Sequence, residues 1–268
     1  MKLSAFTRIS LRTVALAYLL ILLVLPLVII LLRTFERGIG AFIESITTPA
    51  AISAFQLSMI IVIIVVPLNV VFGVVTALAL VRSKFPGRSL MQGIVDLPFA
   101  VSPVVVGVSL ILLWGAGGWF GGLESLGFKV IFSLPGMVIA TIFVTLPFVV
   151  REVEPVLHEI GDDQEQAAAT LGASRWQTFW RITLPAIRWG LTYGVVLTVA
   201  RALGEFGAVI MVSTAMPGRS QTLTLLVHGR YIDDHNTFGA YSAATLLMGM
   251  ALVVLLLMTL LERKRGTE

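Results

Sequence analysis

The sequence predicts an all-α integral membrane protein with six transmembrane helices. Three observations carry the prediction. The 268-residue chain is 57% hydrophobic and only 13% charged, about half the charged share of an ordinary globular domain. Its mean hydropathy is +0.96. Its apolar residues are gathered into long runs, each near the roughly 20 residues that a helix needs to cross a bilayer. Fifteen Asp/Glu and nineteen Lys/Arg cannot supply the polar exterior of a soluble protein this size, which excludes a soluble enzyme and a disordered chain. A net charge of +4, spread over loops, argues against nucleic acid as a partner. With no Cys, neither disulfides nor thiolate chemistry enter.

The spans follow in order within one transmembrane domain, 1–268. The first is 14–32, free of charge. Lys2, Arg8 and Arg12 precede it as they would precede a secretory signal. It is long, however, and ends at Arg33 with no small-residue cleavage pattern after it, so it reads as a retained anchor. In the stretch 33–56, Thr48 is a plausible helix cap and Pro49 a suitable first helical residue; a short surface helix is expected to lead into the second span. That span is 57–81, without a charge. The third, 90–114, carries Asp96 near its start and the ladder-breaking Pro98 and Pro103. The fourth is 130–150. The fifth, 189–213, holds Arg201 and Glu205, and the sixth is 237–261. The runs show no alternation and exceed the length of barrel strands, so helices are the reading.

Orientation comes from the basic residues. One side holds 13: Lys2, Arg8, Arg12, Arg82, Lys84, Arg88, Arg151, Arg175, Arg181, Arg188, Arg263, Lys264 and Arg265. The other holds 5: Arg33, Arg37, Lys129, Arg219 and Arg230. Both termini are therefore expected in the cytoplasm.

The cytoplasmic stretch 151–188 is the longest polar segment. It begins acidic and ends basic, and between Gly161 and Gly172 it reads as good helix former. Asp162 or Asp163 can cap that helix, Gly172 can end it, and Ser174 with Gln177 makes a capping box for a second helix. The small side chains of Ala167, Ala168 and Ala169 let another backbone approach closely. They suit either a groove on a partner or the protein's own helices.

Here the chain resembles a known family. Gln166-Ala167-Ala168, then Gly172, then Ile182-Thr183-Leu184-Pro185 is similar to the EAA loop of ABC-importer permeases, whose pattern is Glu-Ala-Ala, Gly and Ile-x-Leu-Pro at the same spacing. The motif's Glu position is filled by Gln166, with Glu165 one place earlier. Asp96-Leu-Pro-Phe-Ala-Val-Ser-Pro-Val-Val-Val-Gly107 and Ile139 to Phe148 resemble third- and fourth-span signatures of sulfate permeases. Ala200 to Ala208 is similar to a segment shared by sulfate and molybdate permeases. Length and span count favour the W-type subunits of sulfate/thiosulfate importers; a molybdate or tungstate permease is the alternative. The resemblance implies the type I importer architecture in a bacterial inner membrane. Its implied partners are a dimer of ABC ATPases binding ATP and Mg, a second, T-type permease forming a heterodimer, and an extracytoplasmic sulfate-binding protein. It also implies that 151–188 is the coupling loop, with Glu165, Gln166, Ala167, Ala168, Gly172 and Trp176 facing the ATPase. The residues agree on one point independently. The chain has no Gly-x-x-x-x-Gly-Lys-Ser/Thr phosphate loop, so ATP must be bound by another chain.

Inside the membrane, Arg201 and Glu205 stand four apart, placed to pair on one helix face. A charge at this depth costs about 2.5–3.5 kcal/mol on insertion scales and faces protein or water. The couple either holds the fifth span to its neighbours or belongs to the anion path or its gate. Asp96 is either interfacial or lines the inner mouth of that path. His158, His228 and His235 fall in loops on two sides of the membrane and do not make one metal site. A membrane enzyme would need a reactive cluster at one depth, and only this couple lies deep. An ion-coupled secondary transporter, the other alternative, often shows internal repeats and intramembrane acids, and here the acid Glu205 already has Arg201 as a candidate partner.

Overall fold

The computed structural model describes residues 5–265 as helices joined by turns, with no strand among them. Lys2 lies outside the described residues. The first membrane helix is α1 (Ala5–Leu19), one π-turn (Leu20–Val24) and α2 (Leu25–Phe35). The π-turn ends two residues before Pro26, whose ring displaces the carbonyl four residues back, at Leu22, inside the turn. Thr34 on α2 is buried and shares a 2.8 Å hydrogen bond with Thr245, on the last helix.

A short α3 (Gly38–Ile46) precedes α4 (Pro49–Arg82), which is 34 residues long. Thr48 caps α4 itself, its hydroxyl accepting from Ala51 N at 3.3 Å, with Pro49 at the first helical position. The apolar run expected to be a third span, 90–114, is not one helix. It is α5 (Arg88–Ala100) and α6 (Pro103–Trp114), bent by 114°. Pro103 has no N–H to continue the ladder and biases Ser102 toward an extended backbone. Val101 and Ser102 accordingly have ψ of 133° and 134°.

After a one-turn α7 (Gly122–Ser125) comes α8 (Leu134–Ile160), the central helix. The polar loop folds into α9 (Asp163–Thr170) and α10 (Arg175–Thr178). A second π-turn (Phe179–Thr183) again ends two residues before a proline, Pro185, and leads into α11 (Leu184–Leu203). The expected fifth span, 189–213, is interrupted at Gly204, and α12 (Gly207–Val212) continues separately. The chain ends with α13 (Leu223–His228), a π-turn (Gly229–Asp233) and α14 (Thr237–Arg265). Among the described residues, five helices are long and apolar enough to cross a membrane, and the bent pair α5–α6 would make a sixth crossing.

The core is the contact of α8 with α4 and α11. Hydrocarbon outside offers no hydrophobic force between helices, so close backbone approach through small residues must hold them. Val149 is the meeting point. A Cβ built on Gly73 of α4 would lie 2.6 Å from Val149 Cβ, and one on Gly194 of α11 would lie 2.9 Å from Val149 Cα. Asn69 of α4 donates to Thr145 of α8 at 2.6 Å in the same buried seam.

Candidate functional site: the coupling loop and the broken fifth span

The polar loop is a folded element. Gly161 has φ +64° and ψ −165°, a conformation essentially confined to glycine, and it turns the chain from α8 into α9. Asp162 occupies the N-cap position without a side-chain hydrogen bond, so the expected acidic cap supplies charge near the helix start only. At the other end Gly172 has φ +86°. Its N–H reaches Ala169 O at 3.0 Å, and Ala173 N reaches Ala168 O at 3.0 Å, the paired bonds of a Schellman close. The capping box forms: Ser174 N donates to Gln177 Oε1 at 2.8 Å, and Gln177 N donates to Ser174 Oγ at 3.3 Å.

Within this loop the structure separates the sequence-predicted residues. Glu165 turns inward. Its Oε2 accepts from Arg82 Nε at 3.0 Å and its Oε1 from Thr183 Oγ1 at 2.8 Å. Arg82 also donates to Leu157 O at 3.1 Å and Gly161 O at 2.5 Å. One carboxylate therefore ties α9 to the ends of α4 and α8 and to the start of α11. Ala168 is buried within the chain. Gln166, Ala167 and Gly172 are exposed. Trp176 is exposed too, at 70%. Its ring lies 5.4 Å from Trp180 and 6.3 Å from Phe179. Leu171, 88% exposed, and Trp180, 50% exposed, are further large apolar side chains that this segment leaves uncovered.

The second candidate lies in the membrane. Arg201 and Glu205 do pair, with Nη1 to Oε2 at 2.7 Å, but they do not share a helix. α11 ends at Leu203, and the pair spans the break. Glu205 is buried, while the Arg201 side chain is 32% exposed. Glu205 Oε1 accepts from Ala208 N at 2.8 Å, and Thr224 Oγ1 donates to Glu205 O at 2.7 Å. The carboxylate thus satisfies backbone that the break leaves open. Oε2 makes no hydrogen bond, so Arg201 is its countercharge.

This break meets the other one. A Cβ on Gly207 would lie 3.0 Å from Pro103 Cβ, and one on Gly107 would lie 2.5 Å from Met211 Cβ. The ends of two interrupted helices are thereby pressed together through glycines. Non-helical backbone at membrane depth persists only where protein or a water-lined cavity satisfies it. Beside the break is a cavity of about 640 Å³, lined by Ala200, Gly204, Phe206, Thr224, His228 and Ala244 among others. Its walls are almost wholly apolar and suit hydrocarbon, not a dianion.

Asp96 is the remaining residue expected at the anion path or its mouth. It pairs with Arg151, whose Nη2 lies 2.6 Å from Oδ1 and whose Nε donates to it at 2.9 Å, so it fastens α5 to α8. Sequence reading missed Arg82, Thr183 and Arg230. Arg230, in the π-turn before α14, is buried. It donates to Ser45 O at 3.1 Å, Thr48 Oγ1 at 2.9 Å and Gly239 O at 3.0 Å. Burial lowers its pKa from the ordinary value, and Asp234 nearby works the other way. It clamps the start of α4 to the start of α14. A buried arginine in such a short turn has no local sequence signal.

An all-helical membrane fold with two interrupted helices and a folded polar loop tied to three spans is that of an importer permease. The chain belongs to the family described as binding-protein-dependent transport system inner membrane component, whose model matches residues 69–267. It is 48% identical over 256 residues to the sulfate transport system permease protein CysW of Synechococcus elongatus, covering 95% of this chain and 89% of that protein. It is 45% identical to CysW of Escherichia coli K12, covering 90% and 83%. It is 36% identical to CysT of Synechocystis, covering 93% and 87%. In structure it is similar to a chain of a bacterial ABC transporter that imports alginate, with a TM-score of 0.81 over 97% of this chain and 96% of that one. At 18% sequence identity, that likeness establishes the fold alone.

Proposed function

We propose that this chain is a membrane-spanning subunit of an ATP-driven importer that carries sulfate, and with it thiosulfate, into the cytoplasm. The observation that carries the reading is near-full-length identity of 45–49% to CysW permeases. The subunit is not an enzyme: ATP with Mg is bound by a separate ATPase pair. A CysT-like permease completes the path, and a binding protein delivers the anion from outside. Both termini and the α9–α10 loop face the cytoplasm.

In this reading Gln166, Ala167 and the exposed Leu171, Trp176 and Trp180 meet the ATPase. Glu165 does not; it faces Arg82 and Thr183 and carries the motion inward. A displacement of α9 pulls on α4 through Arg82 and on α11 through Thr183. α11 ends at the Arg201–Glu205 break, so movement at the loop reaches the point where the membrane helices are interrupted. That supplies a two-state element biased from both ends. Arg201, partly offset by Glu205, attracts a dianion without holding it fast.

The test is uptake of labelled sulfate by the assembled complex, with excess thiosulfate or molybdate as competitor. Inhibition by thiosulfate at concentrations where molybdate has no effect is expected. Carriage of molybdate in place of sulfate would overturn the substrate.

A further inference from the structure

On the side opposite the coupling loop, the end of α2 and the start of α14 enclose a polar pocket of about 320 Å³ lined by Arg33, Glu36, Arg37, Thr237, Phe238 and Tyr241. We infer that it binds the anionic phosphodiester headgroup of a membrane lipid.

Depth is the first argument. Arg33 follows directly on the apolar run 14–32, which places it where a bilayer's phosphates begin. α2 exposes Leu25, Ile29 and Leu32 just below, so acyl chains have an apolar face to lie on beneath the pocket.

Charge is the second argument. Arg33 Nη1 is held 3.1 Å from Glu36 Oε2. The Arg37 guanidinium lies over the Phe238 ring, 4.7 Å from its centroid, an arrangement that orients a cation without neutralising it. Two arginines against one glutamate leave a single positive charge. That matches a phosphodiester monoanion and is one charge short of a free sulfate dianion. The planar guanidinium forks match phosphate oxygens, and the Thr237 and Tyr241 hydroxyls can donate to the same group. Basic pockets between membrane helices are a recurrent mode of headgroup recognition.

The experiment is native mass spectrometry of the assembled complex titrated with phosphatidylglycerol or phosphatidylcholine. The wild type is expected to retain phosphatidylglycerol in preference. R33A and R37A should each weaken that retention about fivefold, and the double variant should bind both lipids alike. R33K/R37K keeps the charge and controls for folding; it should retain most of the preference. Unchanged retention in R33A/R37A overturns the assignment. So does displacement of the lipid by sub-millimolar inorganic sulfate, which would make the pocket a free-anion site. Loss of binding-protein association in R33A/R37A with lipid retention intact overturns it in favour of a protein contact.

Discussion

Arg82, the last residue of α4, holds Glu165 of α9 in a two-point contact, Nε to Oε2 at 3.0 Å and Nη2 to Oε1 at 3.4 Å. The two residues are 83 apart in sequence. The pair is only about one-fifth exposed, so it is screened far less than a surface ion pair. It connects the end of one membrane helix to the loop segment proposed to meet the ATPase.

Removing either partner should uncouple the machine without dismantling it. Arg82→Ala and Glu165→Gln each delete charge-assisted hydrogen bonds worth about 1.5–3 kcal/mol. The complex is expected to assemble and hydrolyse ATP while sulfate uptake per ATP falls several-fold. Simultaneous measurement of turnover and uptake in vesicles checks it. An unchanged ratio in both variants removes the pair from the transmission path.

Gly172 should resist replacement. Its φ of +86° costs a side-chain-bearing residue about 1–2 kcal/mol. A Cβ at this position would meet no neighbouring atom within 4 Å, so the effect is conformational and not steric. Gly172→Val is expected to stay in the membrane while losing ATPase co-purification. Gly172→Asn, which tolerates the left-handed region better, should recover part of it. Equal behaviour of the two variants would contradict the argument.

Arg201 and Glu205 can be separated by a double-mutant comparison. Arg201→Ala leaves a buried, uncompensated carboxylate, a loss of about 3–5 kcal/mol. Arg201→Ala with Glu205→Gln restores neutrality and keeps an acceptor for Ala208 N. If the couple only holds the break together, the double variant should regain both thermal stability and uptake. The proposed role in the anion path predicts recovered stability with uptake still depressed. Melting temperature and initial sulfate uptake, measured on the same preparations, distinguish them.

The glycines that seat α8 should be intolerant of size. Gly194→Leu drives a side chain into Val149 backbone, where even a Cβ would come within 2.9 Å. Separation of α11 from α8 is expected, with loss of folded complex on size-exclusion chromatography. A normally assembled variant would mean that this seam is looser than the structure indicates.

The sequence made the helical membrane fold legible because composition and run length are direct consequences of the solvent. Thr48, Gly172 and the Ser174–Gln177 box were legible for a similar reason: each is a local rule about an unsatisfied backbone group or a positive φ. The bends were not. Pro98 and Pro103 announced a weakened ladder, but a 114° turn also requires something to pack in the corner, and that is Gly207 from the far side of the chain. The break at Gly204 was hidden for the opposite reason. Arg201 and Glu205 have the spacing of a helical pair, and an acid folding back across a helix end produces the same contact. Ala168 lies three residues from Glu165, on the same face of the helix, and its burial is a tertiary outcome that the motif spacing does not encode. Arg82 and Arg230 read as ordinary loop-side positives, since their partners are set by tertiary contact.

The source of the driving force tests the central claim most directly. The complete complex, in vesicles containing ATP and Mg on the loop side, should accumulate labelled sulfate only when binding protein is added outside. A protonophore should leave that accumulation unchanged. Accumulation driven by an imposed proton gradient in the absence of ATP would contradict the account.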